Sequence, residues 1–189
     1  MEITKAISLL HVGKLITADR DCLCVVQSLS SREASVRASL PLTTGQSVTL
    51  GLRNGFTVPS VVGIIMEDQV SLLFEEHVSI STILAEQRSG RSERDAVRLA
   101  VTLPVSIITP TGNQNCTMQD ISLSGIRVLD EALLLTEGME VQIMIDGIGK
   151  RDATVRWRHH PYVGLSFHVP LGFRLLDQWS IAVNGRGQT

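Results

Sequence analysis

The chain is 189 residues with 17 Lys+Arg against 19 Asp+Glu, a formal net charge of −2. That length fits one medium domain or two small ones, and 43% hydrophobic against 19% charged residues excludes a disordered chain. The near-neutral balance argues against a coat for a nucleic acid polymer or an anionic membrane, which shows a strong basic excess.

In chain order, the N-terminal MEITKAISLL is acidic at position 2 and has only a short apolar run, a poor signal peptide. The longest uncharged apolar stretch, Asn54 to Met66, is too short to span a bilayer and holds Gly and Pro, so no membrane insertion is expected. The three cysteines fit a reducing compartment better than a disulfide scaffold. The expectation is a soluble cytoplasmic protein. Cys22 and Cys24 share one face of a strand, but His11 is the sole nearby candidate to join them on a metal. They read as buried small hydrophobes, with no metal site.

The segment ITADRDCLCVVQSLSSREASV, beginning at Ile16, lies without a gap over ITPTGNQNCTMQDISLSGIRV, displaced by 92. Ile16, Cys24, Gln27, Ser30 and Val36 meet Ile108, Cys116, Gln119, Ser122 and Val128. One inserted residue makes the displacement 93, and Leu40, Gly45, Val62, Leu72 and Phe74 then meet Leu133, Gly138, Val155, Leu165 and Phe167. The chain therefore reads as two copies of one fold, residues 1–87 and 94–189, joined by the small, polar linker RSGRSE at 88–93.

Within each copy the hydrophobic period is two. Val141, Ile143 and Ile145 alternate with Gln142 and Met144, and Val163, Leu165 and Phe167 with Gly164, Ser166 and His168. Val155 and Trp157 alternate with Arg156 and Arg158, which places Trp157 in the core. Turn signals stand at Gly112-Asn113, Asp146-Gly147 and His160-Pro161. Short alternating runs between turns predict antiparallel strands, about five or six per copy, closing into a small barrel so that no long edge stays bare. Helix-like stretches follow at 77–87 and 170–183, the second with Phe173, Leu176 and Ile181 placed to plug its barrel. The fold class is mainly β: two small antiparallel barrels, each followed by a short C-terminal α-helix.

A repeat is its own control, because positions found in one copy only are candidates for function. The second copy has Arg94 and Arg98 before its first strand, then Asp120, Ser122 and Gly125 at the turn after its second. The first copy has Glu2, Ala6, Ser28, Ser30 and Glu33 there, so only the serine is shared. RDAVR (94–98) and DISLSG (120–125) together resemble the RxxxR and [DN]xSxxG signature of PilZ domains, and VRW (155–157) and VGLSF (163–167) resemble that family's closing strands. The first copy resembles the same barrel in degenerate form, without the signature.

The resemblance implies binding of the bacterial second messenger cyclic di-GMP at Arg94, Arg98, Asp120, Ser122 and Gly125, with Arg91 as a weaker addition. The chemistry is apt. A guanidinium is planar, always charged and forked, and suits a phosphate or a guanine O6/N7 edge. A carboxylate at Asp120 can accept from a guanine N1–H and amine. Gly125 allows a positive φ or a close backbone approach. Asp120 and Ser122 also suit simple turn-holding.

The sequence carries no GxSxG, HExxH or P-loop and no carboxylate pair in an acid–base frame, so no enzymatic activity and no cofactor are expected. The expected function is a cyclic di-GMP receptor that changes domain arrangement and signals to an unidentified downstream protein. The alternative is a nucleotide-independent interaction adaptor of PilZ type. The first copy's surface is expected to pack on the second copy or to mediate a homodimer.

Overall fold

A computed structural model describes residues 7–81, 96–132 and 134–186. Contacts divide the chain into two compact units, Met1–Val97 and Arg98–Thr189.

The first unit holds six strands: β1 (Ile7–Ile16), β2 (Asp21–Leu29), β3 (Glu33–Ala38), β4 (Ser47–Gly51), β5 (Thr57–Met66) and β6 (Gln69–Phe74). They close into an antiparallel barrel in the order β1-β2-β3-β6-β5-β4. The second unit repeats this with β7 (Leu99–Thr109), β8 (Gly112–Ile121), β9 (Gly125–Leu129), β10 (Glu140–Ile145), β11 (Gly149–His159) and β12 (Tyr162–Phe167). Its barrel order is β7-β8-β9-β12-β11-β10, the same circuit. Closure gives every strand two neighbours, through short seams of three residue pairs between β1 and β4 and between β7 and β10, and so limits edge-to-edge association.

The equivalence extends to irregularities. Register shifts between Ser8 and His11 and between Val26 and Ser28 recur between Ala100 and Leu103 and between Met118 and Asp120. A bulge re-aims the side chains beyond it, so the bulge before Asp120 helps to set where that carboxylate points.

Alternation fills both interiors. Leu15, Val36, Leu50 and Leu72 are buried in the first, with Cys22 and Cys24 among them as small core residues. Ile107, Met118, Ile126, Val128, Ile143, Val155 and Leu165 are buried in the second. Cys116 is buried as well, and burial pushes its thiol pKa up to about 11 from 9.0, with the nearby Asp130 charge adding and a Gln114 hydrogen bond opposing. A thiol held protonated is a packing group rather than a nucleophile.

Helix α1 (Phe173–Arg186) follows the second barrel. Leu176 is fully buried as expected, but Phe173 and Ile181 are half-buried, and Trp179 is the other large apolar side chain that α1 buries. Its indole Nε1–H donates to the Asp146 carbonyl at 2.7 Å, tying the helix to the β10–β11 turn. The helix expected over 77–87 begins at Ile80, and residues 82–87 lie outside the described residues, as does the 88–93 linker. No helix among the described residues is long and apolar enough to cross a membrane.

One expectation is overturned. Trp157 is not in the core but half-buried on the outer face, and its repeat partner Ile64 is 69% exposed. The cause is a register irregularity between Val155 and Trp157, matched by one between Val62 and Ile65, which reverses the alternation along β11 and β5.

Candidate ligand site on the second barrel

Arg98 stands one residue before β7, whose Ala100 pairs across the ladder with Asp120 on β8. The Arg98 Nη1–H donates to Asp120 Oδ1 at 2.7 Å. Beyond the bulge, Asp120 pairs with Arg127 on β9, whose Nε stands 2.7 Å from Asp120 Oδ2. One carboxylate, its side chain only 8% exposed, is thus clasped between two guanidiniums that are 29% and 41% exposed. The cluster carries a net positive charge. Partly withdrawn from water, these charges are screened less than ordinary surface ions.

The row continues around the barrel. Arg127 pairs with Gly164 on β12, and Gly164 with Trp157 on β11. A Cβ at position 164 would run into the Trp157 ring, so the missing side chain is what lets the indole lie against the sheet. The His159 ring is 5.5 Å from the Trp157 ring, tilted by 34°, and the Arg127 guanidinium carbon lies 5.3 Å from the Tyr162 ring centroid. The outer face therefore presents, from strand to strand, guanidinium, carboxylate, guanidinium, bare backbone and indole.

Ser122 and Gly125 stand beside this row with different geometry. Ser122 is fully buried, and its hydroxyl donates to the Gly125 carbonyl at 3.2 Å and accepts from the Ser124 N–H at 3.3 Å. Its repeat partner Ser30 makes the same pattern, donating to the Glu33 carbonyl at 3.2 Å and accepting from the Arg32 and Glu33 N–H groups. A hydroxyl that does the same in both barrels holds the turn. Gly125 is required by close approach rather than a left-handed φ: a Cβ there would overlap the Leu165 carbonyl oxygen on β12.

Arg94 and Arg91 lie outside the described residues. Arg98 and Asp120 are brought into direct contact, with Ser122 and Gly125 in the adjoining turn. Arg127 and Trp157 were not singled out from sequence as ligand candidates. The repeat comparison, carried past position 125, would have found Arg127, because Ser35 is its partner in the first copy.

The same row in the first barrel is neutral. Ser8 pairs with Ser28, Ser28 with Ser35, and Ser35 with Ser71, whose hydroxyl accepts the Ile64 N–H at 2.7 Å. Gln69 donates to both Gln27 and Ser35, so this face is satisfied by uncharged hydrogen bonds. Among the described residues no group of three or more His, Cys, Asp or Glu could hold a metal ion.

Residues 92–178 match the PilZ domain family model. Comparison with curated proteins gives no match. Solved structures of similar shape include PlzA of Borreliella burgdorferi in complex with c-di-GMP, at 12% identity and a TM-score of 0.38 over 95% of this chain and 92% of that one. The Bacillus subtilis inhibitor of motility MotI/DgrA is similar at 16% identity and a TM-score of 0.40, over 97% of this chain and 100% of that one. YcgR of Escherichia coli in complex with c-di-GMP is similar at 14% identity and a TM-score of 0.37, over 94% and 85%. The stretch that holds both parts of the motif, residues 92–178, is therefore a PilZ domain.

Proposed function

We propose that the chain is a cyclic di-GMP receptor, with the ligand held on the outer face of the second barrel. The observation that carries this reading is the cross-strand row. Five successive positions that are Ser8, Ser28, Ser35, Ser71 and Ile64 in one barrel are Ala100, Asp120, Arg127, Gly164 and Trp157 in the other, with Arg98 at the row's head. The fold does not need the charged version, since the first barrel closes without it.

The ligand offers two phosphates and two guanines. Arg98, with Arg94 from the signature, supplies forked donors for phosphate oxygens or a guanine O6/N7 edge. Asp120 holds the Arg98 guanidinium by their ion pair and offers its own oxygens to a guanine N1–H and amine when the ion pairs rearrange. Ser122 and Gly125 hold the turn that positions Asp120, and Trp157 gives an apolar wall at the far end of the row. Arg91 is a further, weaker donor in this reading. The chain catalyses nothing in this reading. It binds, alters its domain arrangement and passes the change to a protein partner.

Isothermal titration of the intact chain with cyclic di-GMP, against GTP and cyclic AMP, tests this. Saturable heat from cyclic di-GMP alone supports the receptor reading, and the stoichiometry distinguishes one ligand from a stacked pair. No heat at millimolar ligand would overturn it and leave the nucleotide-independent adaptor. That second reading has one observation in its favour, confined to the first barrel. The outer face of β4, β5 and β6 carries Ser47, Thr49, Thr57, Pro59, Val61, Ile64, Met66, Gln69, Ser71 and Leu73, with no charge among them.

A further inference from the structure

Asp120 is shared between two guanidiniums, and only one belongs to the signature. Arg127 differs from an ordinary strand arginine in three ways. Its Nε lies 2.7 Å from Asp120 Oδ2, yet the Nε–H is not aimed at that oxygen and, though buried, has no hydrogen-bond acceptor. Its guanidinium carbon lies 5.3 Å from the Tyr162 ring centroid, so an aromatic face backs the plane. No described residue accepts a hydrogen from either of its Nη groups, and the side chain is 41% exposed. A cation fixed on one side by a carboxylate and on another by a ring, with its forked donors unengaged, is preorganised for an acceptor that arrives from solution.

We propose that Arg127 is a direct ligand-binding residue, taking a phosphate oxygen or guanine O6/N7 acceptor of the dinucleotide between Asp120 and Trp157. The proposal rests on the receptor reading above and extends it. Asp120 then has a second purpose, since a single carboxylate sets the spacing of Arg98 and Arg127. An incoming anion meets two oriented guanidiniums whose mutual repulsion that carboxylate already offsets. The repeat gives the control. Ser35 occupies this position in the first barrel, opposite Ser28, so the sheet accepts a short neutral side chain here.

The test is titration of the full-length Arg127→Ser variant with cyclic di-GMP, beside wild type, with thermal melting of both. Losing a charge-assisted contact is expected to weaken binding roughly 10- to 100-fold, with the melting temperature shifted by only a few degrees. Arg127→Lys keeps the charge without the fork and is expected to fall between the two. If Arg127→Ser binds with wild-type affinity, Arg127 only balances Asp120 and the proposal is overturned while the receptor reading stands. If wild type itself does not bind, both are overturned. If Arg127→Ser unfolds, Arg127→Lys decides alone: wild-type affinity overturns the proposal, and weakened binding by a folded chain supports it.

Discussion

The two barrels share strand order, register and three bulges, yet one transverse row separates them. In the first, Ser28, Ser35 and Ser71 run across the outer face beside exposed Ile64; in the second, Asp120, Arg127 and Gly164 run beside Trp157. The difference teaches that the interior and the bulges specify the fold, while the outer row is free to vary. Two serines show the boundary. Ser30 and Ser122 make the same turn bonds, so the one signature position present in both copies is the one whose geometry serves the turn.

The largest expected effect comes from removing the charge at the head of the row. Arg98→Ala leaves Asp120 with Arg127 alone and deletes a forked donor, and such losses cost about 2–5 kcal/mol of binding. Titration should show affinity for cyclic di-GMP falling at least tenfold. Wild-type affinity in this variant would remove the row from the binding account.

Next comes Gly125→Ala, which acts on the fold rather than on the ligand. The added methyl meets the Leu165 carbonyl oxygen, a backbone atom with no freedom to rotate away. Overpacking of this kind costs about 1–3 kcal/mol, read as earlier unfolding of the second barrel in denaturant. Unchanged stability would show that β9 and β12 can separate at no cost.

A transplant sharpens the comparison with a smaller effect. Ser28→Asp with Ser35→Arg puts an opposite-charge cross-strand pair on the first barrel, worth about 0.2–1 kcal/mol. The chain should stay folded with little change in melting temperature and gain no second binding site, because Ala6 stands where Arg98 does and Ile64 where Trp157 does. A doubled stoichiometry would mean that the central ion pair alone is sufficient.

The last effect is nil at neutral pH and concerns Cys116. Its folded pKa, about 11, lies above the value of 9.0 for a free thiol. The stability carried by the protonated thiol is therefore fully present below pH 9 and lost as the pH rises towards 11, since the unfolded chain ionises first. Cys116→Ala should flatten the fall in stability across that window, measured by denaturant unfolding at stepped pH. An unchanged slope would count against a buried neutral thiol.

Much of this was legible in the sequence because a barrel writes its alternation into each strand and the repeat writes it twice. The displacement of 92 and then 93 aligned Cys24 with Cys116 and Phe74 with Phe167, and both barrels follow that register. Trp157 was misplaced for a physical reason: a bulge shifts the phase of β11, and nothing in VRWRHH marks where it falls. Arg127 was passed over because an arginine on the solvent face of GIRVL looks like any solvated cation until Asp120 is seen across the ladder. Phe173 was favoured over Trp179 for a similar reason, since the indole bond to the Asp146 carbonyl is a tertiary contact that helical spacing does not encode.

The most direct test of the central claim is a titration of the isotopically labelled chain with cyclic di-GMP, followed by amide and indole shifts in both barrels. The account predicts changes at Arg98, Asp120, Arg127, Gly164 and the Trp157 indole, with Ser28, Ser35, Ser71 and Ile64 unmoved. Shifts concentrated on the serine row, or equal on both rows, would contradict it.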